Sequence, residues 1–213
     1  MSSAPSRRPF AKEGRDAADP WQPVTTAALA GVIAFGFAAL WFGNRGERWF
    51  PLLDGANLLF HEFGHPFFGL FSVRLTVYGG TLAQFIFPVA AAVKFRRERA
   101  AASFAVCLVW LFQNFFNIAR YMADARAKVL PLVGGRDPED AHDWAEILGR
   151  WGWLSADTRL ASWLTVLGCC GILACGVCLS RRWQADRGAG RGPGGSGRNA
   201  KIGGDKSSEG SGP

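Results

Sequence analysis

A chain of 213 residues with 49% hydrophobic residues, nine Trp and a net charge of +7, yet a mean hydropathy of only +0.07, combines strongly apolar blocks with polar ends. The excess charge sits mainly in those ends and in Lys94-Phe95-Arg96-Arg97-Glu98-Arg99, so it reads as a membrane-topology signal and argues against a nucleic-acid partner. Three His in the whole chain exclude the His-rich di-iron oxidases and desaturases.

In chain order, residues 1–22 mix Ser, Pro and both charge signs and read as a disordered tail. Five apolar blocks follow, at 24–43, 51–72, 75–94, 100–124 and 159–180, each expected to form a membrane-embedded helix in a domain spanning 23–180. The first lies too far from the start for a simple signal peptide. Between the fourth and fifth blocks, Asp137-Pro138-Glu139-Asp140 has the chemistry of a helix start, and a short amphipathic helix is expected over 138–150. Its side bearing Ala141, Trp144, Leu148 and Trp151 suits the membrane interface, and Glu139, His142, Asp143 and Glu146 form a polar side. Residues 181–213, rich in Gly, Ser, Lys and Arg, read as a second disordered tail.

The expected fold is therefore an all-α integral membrane protein with lipid around it. The Lys94 to Arg99 turn and Arg181-Arg182 favour the cytoplasm, which places the loop before the last block on the opposite side. Five spans would put the N-terminus outside, against the pull of Arg7, Arg8, Lys12 and Arg15. All five Cys fall inside apolar blocks, and the Cys175-x-x-Cys178 pair has no second pair to complete a tetrahedral site.

Chemistry concentrates in His61-Glu62-Phe63-Gly64-His65 within the second block. On a helix, H-E-x-x-H puts two imidazoles one turn apart on one face, able to share a metal ion, beside a carboxylate able to take a proton from bound water. Steps of three and four back from His65 meet His61, Asn57 and Asp54, a polar stripe on an otherwise apolar helix. The fourth block repeats this with Gln113, Asn117, Arg120 or Tyr121, and Asp124. Two polar stripes in hydrocarbon are expected to be buried against each other.

This constellation, over roughly Leu52 to Asp124, resembles the site-2 protease family of intramembrane zinc metalloproteases. Asn117-Ile118-Ala119-Arg120-Tyr121-Met122-Ala123-Asp124 is similar to that family's Asn- and Asp-bearing motif, with Arg120 where Pro stands in the family, Ala125 where Gly follows the Asp, and a slightly short spacing. Gly79-Gly80-Thr81-Leu82-Ala83-Gln84 resembles its Gly-containing segment near substrate, and no PDZ-like insert is visible. The resemblance implies Zn²⁺ held by His61, His65 and Asp124, Glu62 as general base activating a zinc-bound water, and Asn117, Gly79 and Gly80 at the substrate or oxyanion. His142 is an alternative third ligand, whose bland counterpart is a solvated His paired with Glu146. The implied activity is hydrolysis of a peptide bond in or near a transmembrane segment of another membrane protein. A non-proteolytic relative binding a client helix is the alternative, and oligomeric state is left open. A bacterial plasma membrane is the expected location.

Overall fold

A computed structural model describes residues 21–45, 49–131, 133 and 141–189. Among them every regular element is helical: α1 (Thr26–Gly43), α2 (Leu53–Gly69), α3 (Val73–Arg97), α4 (Ala101–Ala123), α5 (Asp143–Trp151), a 3₁₀ turn (Leu154–Ala156) and α6 (Asp157–Ala189). Residues 1–20 of the expected tail at 1–22, the Asp137 to Asp140 helix start and residues 190–213 lie outside the described residues.

Among the described residues four helices are long and apolar enough to cross a membrane: α1, α3, α4 and the stretch Leu154–Gly188 containing α6. The chain is thus a helical membrane protein by length and composition, with one fewer spanning candidate than the expected five. The exception is α2. Its 17 residues include Asp54, Asn57, His61, Glu62 and His65, which dilute the apolar character a crossing helix needs. Large apolar side chains such as Phe37, Leu59, Phe63, Val166 and Leu173 point outward and are exposed. Such a surface suits hydrocarbon and would be an aggregation hazard in water.

Local chemistry sets the ends of the helices. Thr25 Oγ1 accepts from Ala28 N–H at 3.1 Å to start α1, and Ser72 Oγ accepts from Arg74 N–H at 3.2 Å to start α3. α5 begins at Asp143 with His142 as its N-cap, residues 138–140 of the expected helix lying outside the described residues, and stops at Gly152, whose φ of 71° gives the left-handed turn that favours glycine. α6 runs nine residues past the expected end at 180, to Ala189. Its last turn carries Arg187, a cation suited to the negative end of the helix dipole.

α4 is central, packed by α1, α3 and α6, and α2 forms a hairpin with α3. One apolar core joins α1, α4 and α6 through Val32, Ala39, Val109, Phe116, Ile172 and Leu179. A second joins the end of α4 to α5 and the start of α6 through Ile118, Met122, Trp144, Ile147, Leu148 and Ala161. The side of α5 expected to meet the membrane interface therefore turns inward, with Trp144, Ile147 and Leu148 buried. Trp151, half exposed, stacks on Tyr78 instead, with ring centroids 6.2 Å apart.

The two polar stripes meet. Asp54 Oδ1 accepts from Gln113 Nε2 at 2.7 Å and from Asn117 Nδ2 at 2.8 Å, while Asp54 Oδ2 accepts from Phe50 N–H at 2.7 Å. Asn57 Nδ2 donates to Gln113 Oε1 at 2.8 Å, and Trp110 Nε1 donates to Asn57 Oδ1 at 2.7 Å. These bonds satisfy side chains that would each cost about 1–3 kcal/mol if buried without partners.

Candidate metal centre

The H-E-x-x-H turn of α2 lies against α3 at close range. Gly64 and Gly79 face each other, and a Cβ on Gly64 would come within 2.1 Å of the Gly79 carbonyl oxygen. One position on, a Cβ on Gly80 would come within 2.5 to 2.7 Å of three ring atoms of His61. Bare backbone at Gly80 is thus what leaves room for the His61 imidazole. Pro66, inside α2, has no N–H to give to the Glu62 carbonyl, so the helical ladder is interrupted at the motif itself.

His61 is buried and His65 half-buried, with their rings edge to face at 4.8 Å between centroids. His65 Nδ1 donates to the Thr76 carbonyl at 2.8 Å, which fixes its tautomer and aims Nε2 into the site. Asp143, the first residue of α5, completes the group. Its Oδ2 lies 3.0 Å from His61 Nε2 and 3.2 Å from His65 Nε2, and one ligand atom from each of the three residues falls within 4.8 Å of the others. Burial pushes the Asp143 carboxyl up, but hydrogen bonds and charge from His61 and His65 outweigh it and hold the group below the usual carboxylate range.

Tyr121 ties this group together from α4. Its ring stands edge-on to His61 at 5.8 Å and packs on His142 at 4.3 Å, and its hydroxyl oxygen accepts from Asp143 N–H at 3.1 Å.

The two residues expected to compete as third ligand are paired with each other. Asp124, the C-cap of α4, accepts from Val129 N–H and Leu130 N–H at 3.0 Å each, and its Oδ2 lies 3.3 Å from His142 Nε2. His142 Nδ1 accepts from Ala145 N–H at 3.3 Å as the N-cap of α5. That bond needs a lone pair on Nδ1, so the neutral ring carries its proton on Nε2, facing Asp124. Burial lowers the His142 pKa despite the opposing pull of Asp124, in keeping with a neutral ring. His142 is neither solvated nor paired with Glu146, which bonds Arg150. Asp124 and His142 thus stand beside the group, and Asp143 rather than either of them joins the histidines.

Glu62 sits within electrostatic range of His65. Asn117 is held by Asp54, seven positions before His61 and so about 10 Å away along α2, and its Oδ1 accepts from Arg120 at 3.2 Å. It borders a cavity of about 340 Å³ shared with Arg120, Thr158 and Ser162, whose lining includes neither histidine of the motif. Gly79 and Gly80 lie within α3 at a helix contact rather than in an exposed segment. Asp143 was legible only as a neighbour of His142 on the polar side of an amphipathic helix, because nothing in a distance of 78 positions from His65 ties it to the motif.

The donor set fits zinc. Two imidazole nitrogens and a carboxylate oxygen are ordinary zinc ligands, and bonds of about 2.0–2.1 Å put tetrahedral ligand atoms about 3.3 Å apart. The two His to Asp143 distances of 3.0 and 3.2 Å are close to that edge. Comparison of the chain with protein-family models, with curated proteins and with solved structures finds no match in any of the three.

Proposed function

We propose that the protein is a zinc-dependent membrane peptidase similar in chemistry to the site-2 proteases, with His61, His65 and Asp143 as metal ligands and Glu62 as general base. The observation that carries this reading is the facing of His65 Nε2 and Asp143 Oδ2 at 3.2 Å while His65 Nδ1 is committed to Thr76. His61 Nε2 and His65 Nε2 converge on that one carboxylate oxygen, so a cation placed among the three would take a lone pair from each ring and from the carboxylate.

When bound, zinc polarises a carbonyl and lowers the pKa of a coordinated water to about 7. The chain's own residues would do the rest. Thr76 and Gly80 hold the two imidazoles in orientation, Tyr121 holds Asp143 to the histidines, and Glu62 takes a proton from the attacking water and returns it to the leaving amine. α2 is a fifth helix embedded in the membrane without crossing it, α5 lies at the interface over the centre, and a bacterial plasma membrane is the proposed location.

The alternative is a protein that binds a client helix without cutting it. In its favour, Asn117, the residue expected at the oxyanion, is occupied by Asp54 and Arg120. Glu62→Gln separates the two readings. In the peptidase it lowers kcat by about 10²–10⁴-fold while zinc content and thermal stability stay at wild-type values. A substrate-cleavage assay in which Glu62→Gln keeps full turnover would remove Glu62 from the mechanism, and a client that binds both forms equally without being cut would favour the binding protein.

A further inference from the structure

The depth of the metal-ligating group in the membrane follows from contacts at the two ends of the bundle. At one end three segments are bonded together. Gln22 N–H donates to the Arg99 carbonyl at 2.9 Å, Val24 N–H donates to Asp186 Oδ2 at 2.9 Å, and the Arg182 guanidinium donates to the Trp21 carbonyl at 3.1 Å. The entry to α1, the α3–α4 turn and the end of α6 therefore share one face, as four crossings require. Lys94, Arg96, Arg97, Arg99, Arg181 and Arg182 gather there against Glu98 and Asp186, a cationic excess that marks the cytoplasmic side. This also removes the conflict over the N-terminal side, which arose from an odd number of spans.

The metal group lies at the opposite end. His65 is held by Thr76 in the first turn of α3, and His61 and Asp143 meet Tyr121 in the last turn of α4. The rise from Thr76 to Arg97 along α3 and from Ala101 to Tyr121 along α4 is about 30 Å in each case, the thickness of the hydrocarbon core. Two helices running in opposite directions thus give the same depth.

We infer that this centre stands at the non-cytoplasmic boundary of the membrane and takes a juxtamembrane segment of its client on that side, not a bond at mid-bilayer. The preference for such a segment rests on the peptidase reading. The position of the centre does not. Physical chemistry favours this substrate: a peptide carbonyl deep in a membrane helix is locked in its hydrogen-bond ladder, whereas a chain leaving the bilayer can offer an extended carbonyl and find water.

Labelling of an introduced cysteine with a membrane-impermeant maleimide in intact cells tests the position. Arg150→Cys on α5 should label from outside, and Arg97→Cys only after permeabilisation. Trp153→Cys and Arg187→Cys form a second pair should either of the first fail to accumulate, and the unsubstituted chain gives the background from its own cysteines. In parallel, an impermeant chelator should strip zinc from right-side-out vesicles and leave inverted ones loaded. Reversed labelling, or equal labelling of both ends in intact cells, overturns the assignment whether or not the protein is a peptidase. A chain that labels as expected but purifies without zinc leaves the orientation standing and defeats the metallopeptidase reading.

Discussion

Asp143→Ala is expected to lower zinc affinity by more than about 100-fold, beyond the roughly 10–100-fold typical of losing a group that only orients a ligand. Its Oδ2 lies within 3.2 Å of Nε2 on both histidines of the motif. Asp124→Ala should behave differently. It strands the Val129 and Leu130 N–H groups, a destabilisation of about 1–3 kcal/mol per buried unsatisfied group, while zinc remains bound. Competition with a chromophoric chelator, alongside thermal unfolding in detergent, resolves the two effects. Zinc lost with Asp124→Ala and retained with Asp143→Ala would reverse the ligand assignment.

The second large effect concerns the glycines between α2 and α3. Gly64→Ala would drive a Cβ to 2.1 Å from a backbone oxygen and 2.5 Å from its carbon. Neither helix can yield locally, so α2 and α3 must separate at a cost of about 3 kcal/mol or more. Gly80→Ala meets the ring of His61, a side chain able to swing aside. The expected result there is a modest loss of stability with about 10–100-fold weaker zinc binding, because the imidazole leaves its position. Gly55→Ala, with nothing within 4 Å of the new methyl, is the internal control, neutral or stabilising by up to about 1 kcal/mol. Unfolding temperatures and zinc titrations of the three variants check this order. Equal stability of Gly64→Ala and Gly55→Ala would contradict the close approach of the two helices.

These contrasts show where the sequence was readable. Steps of three and four found Asp54, Asn57 and His61 on one helix and Gln113 and Asn117 on another, because polar side chains in hydrocarbon must share a face and then a partner. The structure joins Asp54 and Asn57 to Gln113 and Asn117 through three side-chain hydrogen bonds. The same polar residues dilute the second apolar block, whose 17-residue helix is not among the candidates long and apolar enough to cross a membrane. The end of α6 was missed because Arg181 and Arg182 read as the start of a tail, although a helix leaving the membrane readily continues on cations. Position 143 carries no local signal of ligation. Its place beside the histidines depends on Trp144, Ile147 and Leu148 pinning α5 to α4 and α6, a tertiary fact that spacing within one helix cannot express.

The most direct test of the metal centre is zinc K-edge X-ray absorption on the detergent-purified, full-length chain, with metal content measured on the same sample. The proposed centre predicts about one zinc per chain, with two imidazole nitrogens and the remaining ligands oxygen, all at about 2.0–2.2 Å, and loss of one oxygen ligand in Asp143→Ala. A chain that retains no zinc under conditions that keep a control metalloprotease loaded, or a metal shell containing sulfur or only one imidazole, would contradict the assignment of His61, His65 and Asp143.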